Sequence, residues 1–243
     1  MAASVPSPPD GARGREQMGL AILSDFDGTI TDIDTAAYIL DRFARGDWKA
    51  VDRLLEDGAI TIDECMSRQF AMIGISRDRI IAELEAIVAP REGFPTLVEM
   101  CARNGATLRI TSAGMDFYIR HFLKARGWGA IDVVAPRIDE GAGGITFSFP
   151  PLEQEGALNF KDDQVRMEKG RGNVVAYLGD GVSDLAAALS ADLPFAVEGS
   201  RLDRLLEKSG KAYQRFTGFS EVLPVLFGHY FSGLKSSEPE FIQ

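Results

Sequence analysis

Residues 21–31 read Ala-Ile-Leu-Ser-Asp-Phe-Asp-Gly-Thr-Ile-Thr, an apolar strand that runs into two carboxylates two positions apart and then breaks at Gly28. Alternation along a strand sends residues i and i+2 to the same face, so Asp25 and Asp27 leave the sheet edge side by side. Two carboxylates in one cleft repel, and the conflict is relieved by a bound cation or by a proton held on one of them. Both devices serve phosphate chemistry: one carboxylate attacks phosphorus, the other handles the leaving-group proton, and magnesium offsets the negative charge. A solvated turn or a helix cap is the plainer reading of the same pair. A calcium loop is not, because an EF-hand starting at Asp25 needs glycine and an acid where this chain has Ile30 and Ala36. Matching pieces downstream decide between the turn and the reaction centre.

Two further apolar runs, 107–112 and 173–179, read as buried parallel strands, and each is followed by a helical pattern, Met115–Ala125 and Ser183–Ser190. A helix over Pro95–Asn104, stopped by Gly105, precedes the second strand. Strand and helix in alternation predict an α/β fold built on a doubly wound parallel sheet, in which ligands bind beyond the carboxyl ends of the strands. Between the first two strands lie four helical stretches, 34–45, 47–57, 61–73 and 77–88, broken at Gly46, Gly58 and Gly74. That is too much chain for a simple crossover, and it reads as a helical cap over the cleft. Gly141–Gly144 separates Val133-Val134 from Ile145–Phe149, which predicts a short hairpin or edge strand, and Phe219–Tyr230 predicts a final apolar helix. The implied organisation is a tail at 1–18, a catalytic core at 19–32 and 93–231, a cap at 33–92 and a second tail at 232–243.

Both later strands end in polar clusters. The second ends Thr111-Ser112-Ala113-Gly114, where the Ser112 hydroxyl and the Gly114 amide are placed to hydrogen-bond a phosphate oxygen at the start of the next helix. The third ends Gly179-Asp180-Gly181-Val182-Ser183-Asp184. Asp25 and Asp180 suit a hard divalent ion such as Mg2+, and Asp184 either holds a metal-bound water or orients a neighbour. A cation is needed to counter charge on a transferring phosphoryl group, and Lys161 is the first choice, with Lys169 behind it.

The chain has 243 residues, 45% hydrophobic and 26% charged, ordinary values for a globular protein with a substantial core. A formal net charge of −10 argues against nucleic acid as a partner. No apolar stretch approaches the roughly 20 residues that cross a bilayer, so no membrane partner is expected. Cys65 and Cys101 belong to no CxxC or Cys/His cluster, which fits a reducing, cytoplasmic setting. His121 and His229 read as surface or interface residues, and the apolar C-terminal stretch leaves monomer and homodimer both open.

The ordered set DFDGTIT, ITSAG, a lysine, then GDGVSD resembles the haloacid dehalogenase superfamily of phosphohydrolases over about residues 20–230. The resemblance implies a Rossmann-like core, an aspartyl-phosphate formed on Asp25, general acid and base chemistry by Asp27, and Thr29 positioning Asp27. It further implies phosphate binding by Ser112 and Lys161, and Mg2+ held by Asp25, the Asp27 carbonyl, Asp180 and Asp184. The helical insert is similar to the cap of the phosphoserine phosphatase-like branch. DFDGTITDID, REGF, SAGMDFY and GDGVSDLAAA resemble the 2-hydroxy-3-keto-5-methylthiopentenyl-1-phosphate phosphatase group of methionine salvage more closely. The implied partner is a small phosphate ester, that intermediate or phosphoserine. Phosphoserine phosphatases carry Glu where Asp34 aligns and a substrate-binding Arg where Gln69 aligns, and the salvage enzymes have a Cys-rich segment absent here. Asp34 and Arg68 are the cap residues expected at the substrate.

Overall fold

The computed structural model describes residues 19–141 and 144–228. The expected tails at 1–18 and 232–243, the end of the last helix and His229 lie outside them. Eight strands are present among the described residues. Six form one parallel sheet in the order β3-β2-β1-β6-β7-β8, with β1 at Leu20–Ser24, β2 at Thr107–Thr111, β3 at Asp132–Val134, β6 at Val174–Gly179, β7 at Leu193–Val197 and β8 at Gln214–Phe216. The three strands expected from apolar runs, β1, β2 and β6, lie side by side within it.

Period-two alternation splits the central strands between two apolar layers. Leu20 and Ile22 of β1 with Ala176 and Leu178 of β6 join one cluster; Ala21 and Leu23 with Val175 and Tyr177 join the other. The first layer is closed by α5 (Phe94–Asn104), α6 (Asp116–Ala125) and α10 (Phe219–Gly228), through Phe94, Leu97, Phe122, Phe219 and Leu226. The second is closed by α7 (Phe160–Gly170), α8 (Leu185–Ser190) and α9 (Arg201–Ser209), through Val165, Ala187, Ala188, Leu202 and Leu206. Buried on both faces, these strands are necessarily apolar throughout.

The insert holds α1 (Thr35–Phe43), α2 (Trp48–Glu56), α3 (Ile62–Phe70) and α4 (Arg77–Glu85). Each starts at a side-chain cap, Asp34, Asp47, Thr61 and Ser76 in turn, and Thr61 completes a capping box with Glu64. Such caps satisfy orphan N–H groups and let nine-residue helices begin cleanly. Ile39, Leu40, Met66, Phe70, Ile80 and Leu84 tie the insert into the first apolar layer. A bridge between Thr31 and Pro90 joins its two stems.

One expectation is corrected. Val133-Val134 is not half of the hairpin: it lies in β3 and pairs parallel with β2, while the hairpin is β4 (Arg137–Gly141) against β5 (Gly144–Ser148). The polar run Arg137–Glu140 hid β4. The hairpin packs on the insert, with Phe147 edge-on to Phe70 at a centroid separation of 5.1 Å.

Arg109, unexpected in a buried strand, has acidic partners. It meets Asp132 at 2.7 Å and the buried Glu168 at 2.8 Å, and donates to Gln164 at 3.2 Å. Glu168 keeps Arg171 and Asn173 as further donors. Arg109→Met therefore removes charge-assisted bonds without stranding Glu168, and is expected to cost about 2 kcal/mol in urea unfolding.

Candidate active site

β1 and β6 are neighbours, yet the chain runs from β1 to β2 and β3 on one side and from β6 to β7 and β8 on the other. The switch point of the sheet therefore falls between the strands that end in Asp25 and Asp180, where an open α/β sheet leaves a crevice. Asp25, Asp27, Ser112, Gly114 and Asp180 line one pocket there, with Asp34 and Asp52 at its insert side.

Asp25 is 6% exposed. Its Oδ1 accepts from the Phe26 amide at 2.7 Å, and its Oδ2 lies 3.0 Å from Lys161 Nζ. Lys161, also buried, has a second carboxylate at 2.6 Å in Asp184 and donates to Ser183 Oγ at 3.1 Å. Three donors thus meet three acceptors. Burial alone would lower the lysine pKa, but Asp184 and Asp25 outweigh it and hold the ammonium charged. Lys169, the alternative, is on the surface with Asp192 and the Ser190 carbonyl.

Asp184 is fully buried and saturated. Oδ1 takes Lys161 and the Tyr177 hydroxyl; Oδ2 takes the amides of Asp180 and Gly181 at 3.1 and 2.8 Å. It fixes the Lys161 ammonium and the loop that carries Asp180. Oxygens of Asp25, Asp180 and Asp184 lie within 4.8 Å of one another. Burial and Asp184 raise the Asp25 pKa well above the carboxylate range, and the same two causes push Asp180 up to about 7. An all-oxygen set carrying this much uncompensated charge fits a small hard divalent cation such as Mg2+. Asp25 and Asp180 would hold it, since Asp184 is already committed.

The threonine roles differ from expectation. Thr29 Oγ1 donates to Asp180 at 3.0 Å rather than positioning Asp27. Asp27 Oδ1 instead accepts from the Thr35 hydroxyl and, at 3.1 Å, from the Thr35 amide. The turn at Gly28 (φ 68°) carries Thr29 away from Asp27 and toward β6. The positive φ favours glycine there, and a Cβ at Gly28 would also push the Asp180 carboxylate aside. Burial and the Asp34 charge raise the Asp27 pKa to about 7, against the lowering effect of Thr35. A carboxyl tuned there both gives and takes a proton near neutrality.

Ser112 is buried, and its Oγ accepts from the Gly114 amide at 3.0 Å. A Cβ at Gly114 would fall 2.1 Å from Asp27 Oδ2, so the phosphate-side loop and the acid/base side chain touch. Asp34 caps α1 at the pocket mouth, accepting from the Ala37 amide at 2.8 Å. Arg68 is not in this pocket. It is exposed and lines a separate surface hollow with Phe147 and Phe149, while Gln69, one position on, is buried and faces the carboxylates. One residue along a helix turns the side chain by about 100°.

Three residues had no site role in the sequence reading. Thr35 orients Asp27. Arg91 donates to the carbonyls of Gly28 at 2.6 Å, Thr29 at 2.8 Å and Thr217 at 3.1 Å, clamping the turn after the carboxylates. Arg201 of α9 reaches Asp52 and Glu56 of α2, both at 3.0 Å, and so joins core to insert across the pocket. Only the REGF segment around Arg91 carried a sequence signal, and it named no partner.

Residues 22–189 match the family model of the haloacid dehalogenase-like hydrolases. The chain belongs to that family. Among proteins to which it is similar, a 2-hydroxy-3-keto-5-methylthiopentenyl-1-phosphate phosphatase from Brevibacillus brevis is 27% identical over 212 residues, covering 85% of this chain and 95% of that one. Pdp3-interacting factor 1 from Schizosaccharomyces pombe is 28% identical over 223 residues, covering 88% and 97%. In fold the chain is similar to a substrate-bound phosphoserine phosphatase (TM-score 0.63, 16% identity, 86% of this chain and 99% of that one). It is also similar to a phospho-aspartyl intermediate analogue of phosphoserine phosphatase (TM-score 0.64, 16% identity, with the same coverage).

Because Thr35 holds Asp27 through its hydroxyl, Thr35→Val is expected to lower kcat for phosphate-ester hydrolysis roughly 10- to 100-fold with KM little changed. Thr35→Ser should keep most of the rate. Steady-state phosphate release on the two variants checks both.

Proposed function

We propose that this enzyme is a magnesium-dependent phosphomonoesterase that works through an aspartyl-phosphate on Asp25. The observation that carries the reading is the division of labour between the two acids: Asp25 is held by the Lys161 ammonium, and Asp27 is held apart from it by Thr35. Asp25 attacks phosphorus as the ester P–O bond breaks, and Asp27 gives its proton to the leaving alkoxide. Asp27 then takes a proton from the water that cleaves the acyl phosphate, which frees inorganic phosphate and restores both carboxyls. In this reading Lys161 and the Ser112 hydroxyl serve the phosphoryl oxygens and favour the charge that spreads over them, and the Gly114 amide, expected at the phosphate, instead holds Ser112 Oγ at 3.0 Å. Mg2+ held by Asp25 and Asp180 would offset the negative charge that these acids and the phosphoryl oxygens bring together.

The 33–92 insert acts as the cap of a core at 19–32 and 93–231, and Arg201 is its tie. The substrate is a small phosphate ester, and the methionine-salvage intermediate is favoured over phosphoserine. Relatives bearing the salvage name support this, as does the pocket: Gln69 stands where phosphoserine enzymes carry arginine, and Arg201 already faces Asp52 and Glu56. A substrate carboxylate would meet Asp34 and Asp52 without a cation of its own. Cys65 and Cys101 are both free and buried, which suits a reducing, cytoplasmic setting.

Purified protein should release phosphate from the salvage ester in Mg2+ and not in EDTA, with phosphoserine at least tenfold poorer in kcat/KM. Asp25→Asn should abolish turnover; normal activity in that variant would remove Asp25 as the nucleophile. Mg2+ at about 100 times its Kd should add about 2.7 kcal/mol of stability, a Tm rise of roughly 5–10 °C. Asp180→Asn should lose most of that rise in differential scanning fluorimetry.

A further inference from the structure

The carboxylate pocket encloses about 150 Å³, below the ~300–1,000 Å³ usual for small-molecule sites. Beside it lies a larger cavity of about 390 Å³. The two share Leu55, Ile62, Val182 and Ser183 as walls. Ser183 sits at the junction, for its hydroxyl accepts from Lys161 and its carbonyl accepts from Asn159 at 3.0 Å. The annex therefore shares a wall with the carboxylate pocket at the residue that touches the Lys161 ammonium.

Its lining is largely apolar. Leu55 and Ile62 come from the insert; Phe149, Leu152, Leu158 and Phe160 come from the segment that leads from β5 into α7. Among its described lining residues there is no lysine or arginine, and the one acid, Asp63, has its pKa raised by burial. Leu152 and Leu158 are 53% and 77% exposed, the largest values among the described large hydrophobic residues. Two leucines held open at the mouth of a cavity that adjoins a reaction centre make a surface that an apolar group would cover.

We propose that this annex is a leaving-group subsite that takes an unbranched, uncharged apolar chain, alkyl or thioalkyl, of the phosphate ester. The inference rests on the phosphomonoesterase reading above and adds where the organic part lies and what chemistry it has. The phosphoryl group occupies the small pocket, and the chain passes between Leu55 and Ile62 of the insert and Val182 of the core. A charged tail is excluded because the annex offers no counter-ion and one carboxylate.

The test is a series of n-alkyl phosphates from ethyl to octyl, each below its micelle concentration, in Mg2+. The expected result is a kcat/KM that climbs roughly two- to fourfold per methylene, the gain for burying each CH₂, and levels once the annex is full. Leu158→Ser and Phe149→Ser should each cut the octyl-to-ethyl ratio at least tenfold. That ratio is formed within one preparation, so any loss of folded enzyme cancels, and Leu158 is too exposed to be core packing. A flat series with Mg2+-dependent turnover throughout overturns the annex and leaves the phosphomonoesterase reading standing. A rising series unchanged in both variants overturns it too, since the chain then binds elsewhere. No turnover of any ester in the series or of the salvage ester overturns the phosphomonoesterase reading and this inference with it.

Discussion

A lysine buried among carboxylates governs the rest of this molecule. Lys161 brings one positive charge to a place where Asp25 and Asp184 are buried and Asp180 is half-buried, and its ammonium satisfies the two buried acids at once. Burying a single carboxylate unpaired is prohibitive, and breaking a buried pair strands the remaining charge. Asp184 accepts four hydrogen bonds for this reason. The sheet supplies the geometry: only at adjacent strand ends across the switch point can acids from β1 and β6 share one cation.

Around that core of charge, the neutral machinery is arranged to keep two acids from becoming equivalent. Asp25 faces the lysine and Asp27 faces Thr35, so two carboxyls a few ångströms apart are held by different partners and suited to different duties. Arg91 secures the turn that follows them through the Gly28 and Thr29 carbonyls. The insert contributes Asp34, Gln69 and an apolar wall, and it is fastened to α9 by a partly exposed ion pair, weaker than the bonds inside the core.

What the amino-acid order made readable was whatever is local. The strand ends at Asp25, Ser112 and Asp180 stood out because an apolar run, small residues and an acid fall within ten positions of one another. Lys161 was reachable as a choice of two, and the structure separates them by burial. The partner of Thr29 was not readable, because it lies 151 residues away, and neither was Thr35, whose approach to Asp27 depends on the path of the chain around Gly28. β7 was hidden by Pro194 and β8 by its three residues. The displacement of Arg68 by Gln69 follows from helix geometry once α3 is placed.

The tie between β1 and the distant β6 also sets a clock. During synthesis Asp25 emerges early, but its amide waits for the Leu178 carbonyl and Thr29 waits for Asp180. At the usual pace of translation the intervening 151 residues take ~8–30 s. Through that interval β1 has at most one of its two neighbours, β2, and lacks β6, and the clamp from Arg91 to Thr217 closes later still. A nascent chain of this kind is most open to mispairing near its beginning and becomes a catalyst only near its end.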